Sequence, residues 1–514
     1  MEDLKFLIQK LEKELSRIEA GTETVSVGTV LRTGDGVVWI EGLAQTKLNE
    51  ILLVRPSQTS GAKEISVPVL ALNLEEELIG AIALADSDLI KEGDMVIRTE
   101  TVIQTPVGPS LIGRVVNPLG RPLDGLGEIK TETFYPLERE APGVIEREPV
   151  RRPLQTGIKA IDGLIPIGRG QRELILGDRQ IGKTAIALDV ILNQKDEKKD
   201  RPICVYVGVG QKLSKIKRMY EILKKAGALD YTIMVVASAS DPAALIYLSV
   251  YSGCSIGEYF RDNGQDAVVI YDDLTKHAWA WRELSLLLKR PVGREAYPGD
   301  IFYTHARLLE RAAKLKEGGS LTALPICETQ LGDISSYIPT NLISITDGQI
   351  YLETDLFNKG FRPAISIGLS VSRVGSQAQT KLMKKVAGRL KLDLAQFREL
   401  EAFAQVTSDL AEASRKKLER GRVLTEILKQ ENLQPLSFEK IAVLFFAANE
   451  GYLDGFSSAE IFDFENKLLA DLNLDQADLA AALKTKADID DTLVEKLNQY
   501  LKNFVQSFRQ NRSN

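Results

Sequence analysis

The chain has 514 residues, with 65 Lys and Arg against 71 Asp and Glu and 44% hydrophobic residues. These proportions fit a soluble globular protein of roughly two to four domains and exclude large-scale disorder. A formal net charge of −6 sets up no general field for nucleic acid or anionic lipid, and apolar runs such as 441–448 are too short to cross a bilayer.

In chain order, the opening segment sets Leu4, Leu7, Ile8, Leu11, Leu15 and Ile18 at helical spacing and stops at Gly21, which predicts an amphipathic helix. Its apolar stripe needs cover, either from its own chain or from another subunit. It lacks the hydrophobic core of a signal peptide, so any membrane association is expected to be indirect. From Val25 to Arg98 short β-branched runs alternate with turn signals at Gly34-Asp35-Gly36, Gly42, Arg55-Pro56-Ser57, Ser60-Gly61 and Glu92-Gly93-Asp94, the pattern of a small β-barrel. A connector rich in Pro and Gly follows, including Asn117-Pro118-Leu119-Gly120-Arg121-Pro122 and Ala141-Pro142-Gly143.

Residues 150–370 alternate apolar strands with amphipathic helices, as expected of a parallel sheet covered by helices. The expected strands are Leu174–Leu176, Ile203–Val207, Ile233–Ala237, Ala267–Tyr271, Leu321–Ile326 and Ile365–Leu369. After Gln377 helical periodicity runs to the end, with Gly421 and Pro435 as expected breaks. Cys204, Cys254 and Cys327 are far apart in apolar surroundings and read as reduced core thiols.

The most informative segment is Gly177-Asp178-Arg179-Gln180-Ile181-Gly182-Lys183-Thr184, a complete G-x-x-x-x-G-K-[ST] phosphate loop placed between a strand and a helix. Gly177 and Gly182 let the backbone curl so that its N–H groups face phosphate. Lys183 supplies a point charge for the outer phosphates, and the Thr184 hydroxyl is a Mg²⁺ ligand. The chain is therefore expected to bind a nucleoside triphosphate.

The strand Ala267–Tyr271 runs into Asp272-Asp273, where a carboxylate can either cap the next helix or serve the Mg²⁺ beside a phosphate loop; Asp272 is the better metal candidate. Gln211 closes Gly208-Val209-Gly210-Gln211, after the strand that follows the phosphate-loop helix. An amide is no general base, so hydrolysis of this chain's own nucleotide is expected to be slow or absent, although Gln orients water in some GTPases. Arg373, in Ser370-Val371-Ser372-Arg373-Val374-Gly375, either pairs with a surface carboxylate or reaches across a subunit boundary to stabilise phosphoryl-transfer charge. His277 and His305 fall on predicted helices with no second ligand at metal spacing and read as structural.

Across nearly its whole length the chain resembles the alpha subunits of F-type rotary ATP synthases. The match is carried by Pro166 to Glu173, the phosphate loop, Gly257 to Asp262, Tyr271 to Leu274, Gly293 to Asp300, Ile338 to Phe357 and Ser370 to Gly375. The resemblance implies a multidomain α/β architecture: an N-terminal helix at 1–24, a β-barrel at 25–98, a P-loop RecA-like nucleotide-binding domain at 99–376 and a helical domain at 377–514. It implies ATP or ADP with Mg²⁺ as ligand, and a non-catalytic, regulatory role in a rotary proton-translocating ATP synthase. The partners it implies are beta subunits in an alternating hexamer, the gamma central stalk, and the delta and b subunits of the stator through the N-terminal helix. The implied location is peripheral, on the cytoplasmic face of the bacterial cell membrane. By the same resemblance Gln211 marks the non-catalytic subunit, Arg373 with Ser370 serves the neighbouring beta subunit's catalytic site, and Arg362, Pro363 and Gln430 pack around the adenine.

Three positions depart from the family pattern: Ile181 where Thr is usual, Asn432 where a second Gln is common, and His277 where Gln is familiar. Two other classes compete. A Rho-like RNA translocase predicts a basic barrel studded with aromatics, whereas residues 25–98 hold Trp39 alone. A self-sufficient flagellar or secretion-type ATPase predicts a carboxylate where Gln211 stands.

Overall fold

The computed structural model describes residues 26–57, 66–85, 87–197, 200–404, 412–474 and 476–513. The expected N-terminal helix therefore lies outside the described residues. Two compact units emerge: one holds the described residues through Gly143 together with Ile203–Lys224 and Leu229–Arg311, the other Val144–Pro202, Lys225–Ala228 and the described residues from Ala312 on.

The first unit opens with a closed barrel of six strands, β1 (Val27–Gly34), β2 (Val37–Glu41), β3 (Glu50–Arg55), β4 (Val67–Leu74), β5 (Leu78–Ala83) and β6 (Met95–Val102), in the order β1-β2-β5-β4-β3-β6. Alternation fills the lumen: Val38 and Ile40, Leu52 and Val54, Val67, Val69 and Ala71, Ile79, Ala81 and Ala83 form one buried cluster. Trp39 is 7% exposed and carries the Arg32 guanidinium over its ring at 4.6 Å.

The later strands that frame the site are, in chain order, β7 (Val115–Val116), β8 (Leu174–Gly177), β9 (Ile203–Gln211), β10 (Thr232–Ser238), β11 (Asp266–Asp272), β12 (Ser320–Glu328), β13 (Gly348–Tyr351) and β14 (Val371–Ser372). In the first unit β11, β9, β10 and β7 pair in parallel. Continuous apolar runs such as Cys204 to Val207 are buried there, as strands covered on both faces require. In the second unit β8 lies parallel to both β12 and β13, and β14 adds an antiparallel edge on β13. The three cysteines are buried and unlinked.

The helical region of the second unit comprises Lys381–Ala387, Leu390–Ala404, Glu412–Ile427, Phe438–Asn449, Ser458–Asn473, Ala477–Lys486 and Asp491–Ser513. Phe464 sits at its aromatic centre, edge-on to Phe456, Phe504 and Phe508. Among the described residues no helix is long and apolar enough to cross a membrane. Barrel, parallel α/β strands and helices thus appear as the sequence predicts.

Two local expectations are corrected. Ile365–Leu369 is not a strand: Ile365 makes one isolated bridge to Leu352. The Ser366 N–H then donates to Tyr351 O and the Ser370 N–H back to Ser366 O, which turns the chain. Gly421 does not break a helix either. It lies inside Glu412–Ile427, where an added Cβ would come within 2.2 Å of Phe397 Cγ, so its small size serves packing.

Candidate nucleotide site

The phosphate loop runs from the end of β8 into the helix Lys183–Asn193. Gly182, at φ 110°, is the helix N-cap residue, a backbone state that favours glycine. At Gly177 a Cβ would meet Ile181 Cδ1 at 2.5 Å and Leu352 O at 3.0 Å. Ile181 is 4% exposed, so this departure from the family pattern packs its side chain beneath the loop. Lys183 is buried, and its Nζ donates to Gly177 O at 2.7 Å and to Asp178 O.

Asp178 anchors the loop from below, accepting from Thr329 Oγ1 at 2.7 Å, the Gly332 N–H at 2.9 Å and Thr354 Oγ1 at 2.7 Å. Burial opposes its ionisation, but these donors and the nearby Lys183 charge outweigh burial and hold its pKa below the ordinary carboxylate value. Arg179 leans outward and pairs with Glu328 at 2.9 Å. Gln180 takes a left-handed φ of 65° on the exposed crest, and Thr184 is half-buried at the start of the helix.

In the first unit, β9 and β11 carry Gln211 and Asp272 to the same strand ends, with Gly208 in register with Asp272. A register shift between Val209 and Gln211 against β10, with Gly210 at φ 57°, turns Gln211 inward. Gln211 Nε2 donates to Asp272 Oδ1 and to Asp272 O, each at 2.9 Å. Asp272 Oδ2 also accepts from Tyr206 OH at 2.8 Å and Lys215 Nζ at 3.0 Å, and the same Nζ reaches Gln211 Oε1 at 3.1 Å. Burial and the Asp272 charge push the Tyr206 hydroxyl pKa far up, so it stays a donor. The adjacent carboxylates divide their work: Asp273 is the N-cap of Leu274–Leu287, accepting from the Lys276 N–H at 2.9 Å, which leaves Asp272 for the strand end. Nothing in the sequence marks Tyr206 as a partner of Asp272, and the only local signal for Lys215 is its place four residues after Gln211.

The residues expected near adenine come together in the second unit. The Gln430 N–H donates to Arg362 O at 2.7 Å, and the Arg362 guanidinium lies over the Phe357 ring at 4.9 Å. Both amide hydrogens of Gln430 are engaged, by Gly157 O at 2.8 Å and Gln434 O at 2.9 Å. Its Oε1 accepts from the Lys159 N–H at 2.9 Å, so only a lone pair of that oxygen remains for a base. Asn432 is exposed. Asp189, in the phosphate-loop helix, is held by the Leu433 backbone, and burial pushes its pKa up to about 7.

Arg373 is exposed, immediately after β14. Its N–H donates to Asp347 O at 2.8 Å. Ser370 is buried and its Oγ accepts from the Tyr351 N–H at 2.9 Å, so the hydroxyl ties the Arg373 segment to β13. His277 and His305 are on helices, as expected, and they touch: His277 Nδ1 lies 3.2 Å from His305 Nε2. Sequence spacing of 28 residues gave no signal of that pair.

Two family models match the chain: the nucleotide-binding domain of the ATP synthase alpha/beta family over residues 157–372, and the C-terminal domain of the ATP synthase alpha/beta chain over residues 379–504. The chain is 55% identical to the ATP synthase subunit alpha of Petrotoga mobilis, over 98% of this chain and 99% of that relative. It is 53% identical to the ATP synthase subunit alpha of Dehalococcoides mccartyi, over 97% of this chain and 98% of that relative.

Proposed function

The chain belongs to the ATP synthase alpha/beta family, and from that premise we propose that it is the alpha-type, non-catalytic nucleotide-binding subunit of a rotary proton-translocating ATP synthase. ATP or ADP binds through Gly177–Thr184, with Arg362, Pro363 and Gln430 toward the base. Mg²⁺ is assigned to the Thr184 hydroxyl and the Asp272 carboxylate, oxygen ligands of the kind it takes; when bound it neutralises phosphate charge. Lys183 contributes a buried cation within the loop, and Asp178 keeps the loop's shape through three hydrogen bonds.

The observation that carries the non-catalytic reading is Gln211 bonded to Asp272 at 2.9 Å. An amide cannot take the proton of an attacking water, and both of its ends are already committed, to Asp272 and to Lys215. The chain therefore holds its own nucleotide without cleaving it. Arg373, exposed on a backbone fixed at Asp347, lends its guanidinium to the catalytic site of a neighbouring beta subunit, with Ser370 securing the same segment. A cation placed there stabilises charge that develops on the transferring phosphoryl group.

On this reading residues 1–24 supply the contact with the delta and b stator subunits, 25–98 form the barrel, 99–376 the nucleotide-binding domain, and 377–514 the helical domain near the gamma stalk. The protein is peripheral on the cytoplasmic face of the bacterial cell membrane and is attached through its partners. An RNA-translocating role is disfavoured because Trp39, the sole barrel aromatic, is buried beneath Arg32 and offers no face on which a base stacks.

The test is to assay ATP hydrolysis by the purified chain alone and then with its catalytic partner. Negligible solitary hydrolysis and strong hydrolysis by the assembled complex are expected. Robust hydrolysis by the chain alone contradicts the proposal.

A further inference from the structure

Glu173 is a fully buried carboxyl directly before β8. Its Oε2 accepts from Gln171 Nε2 at 2.7 Å, while Oε1 has no hydrogen-bond partner. Such a group is a poor choice for stability alone, because a buried polar atom without a partner costs free energy that an apolar residue of similar size would not.

Its surroundings explain its place. Gln171 Nε2 also reaches Ser372 Oγ at 3.3 Å, and Ser372 Oγ donates to Pro166 O at 2.7 Å. Ser372 pairs with Gly348 across the β13–β14 ladder. A Cβ at Gly348 would fall 2.6 Å from Glu173 Oε2 and 2.1 Å from Val371 O. The carboxyl is thus pressed against the underside of the strand pair that ends at Arg373.

We propose that Glu173 is a positioning residue for Arg373, acting through Gln171, Ser372 and the Gly348 contact to fix the strand end from which the guanidinium projects. This rests on the reading that Arg373 works in a neighbouring subunit's site. The charged groups that act on the carboxyl are Asp347, which opposes its ionisation, and Arg373, which favours it; Asp347 is itself paired with Arg172 at 2.8 Å. Burial is the largest influence and raises the Glu173 pKa well above the ordinary value.

The experiment compares Glu173→Gln, Glu173→Ala and Arg373→Ala in the assembled complex, measuring kcat and KM together with nucleotide binding to this chain. Glu173→Ala is expected to lower kcat roughly 10- to 100-fold with KM and nucleotide binding unchanged. Glu173→Gln, which keeps the volume and an oxygen to accept from Gln171, is expected to keep kcat. Unchanged kcat in Glu173→Ala, or losses of kcat and nucleotide binding in equal proportion, overturns the proposal. If the alanine variant does not assemble, Ser372→Ala, which cuts the link from Gln171 to the strand end, decides, and an unchanged kcat there overturns it. Full turnover by Arg373→Ala would instead defeat the underlying reading and is recognised separately.

Discussion

The main-chain N–H of Arg373 donates to the carbonyl oxygen of Asp347 at 2.8 Å. The Asp347 carboxylate is in turn clasped by Arg172, whose N–H and Nε each donate to Oδ2 at 3.0 Å and whose NH2 donates to Oδ1 at 2.8 Å. Arg172 leads into β8, the strand that delivers the phosphate loop. One short stretch of chain therefore holds both the nucleotide loop and the backbone of the exposed arginine.

Replacing Gly348 tests that coupling. Gly348→Ala drives a Cβ into Val371 O and Glu173 at a left-handed φ of 156°, and overpacking of this kind costs about 1–3 kcal/mol or more. Turnover of the assembled complex is expected to fall while nucleotide binding at Gly177–Thr184 is kept. A calorimetric titration alongside a steady-state assay checks both.

Lys183→Ala removes the buried ammonium from the loop. A charge-assisted contact of order 1.5–3 kcal/mol corresponds to roughly tenfold or more in affinity, so nucleotide binding by the isolated chain should weaken by at least that. The assembled complex should keep much of its activity if, as proposed, catalysis belongs to the partner's site.

Asp272→Asn keeps the shape of the strand end and removes its charge. Binding of the Mg²⁺–nucleotide is expected to drop roughly 10- to 100-fold, the usual cost of losing an outer contact to a metal, whereas binding measured in excess EDTA should hardly change. Equal losses with and without Mg²⁺ would assign Asp272 to the fold instead.

The His277–His305 pair gives a pH prediction. Burial lowers the His305 pKa from 6.5 to about 4. Burial, then the charges of His305 and Arg307, lower that of His277 well below 6.5. Between pH 6.5 and 4 the unfolded chain binds more protons than the folded one, so the pair's contribution is complete above 6.5 and is lost as pH falls. His305 alone accounts for ~3 kcal/mol across that window. Thermal melts should show His277→Gln losing less stability than the parent between pH 7 and pH 4.5.

The fold class was legible because its signals are local. The barrel repeats a two-residue alternation, the buried strands are apolar runs, and the phosphate loop is contiguous. What the sequence does not reveal depends on residues far apart along the chain. The Asp178 anchors come from Thr329, Gly332 and Thr354, and the two histidines meet across separate helices. Gly421 resembles a helix break until Phe397 is seen against it. The segment Ile365–Leu369 has strand-like composition, yet Ser366 and Ser370 bend it through backbone hydrogen bonds that composition does not reveal.

The most direct measurement is the multi-site ATPase rate of the assembled complex carrying Arg373→Ala, set beside Lys183→Ala. The account predicts that the arginine variant loses roughly a thousandfold or more in kcat, the scale of a cation lent in trans, while the lysine variant stays within several-fold of the parent. Turnover by Arg373→Ala at the parent's rate would contradict it.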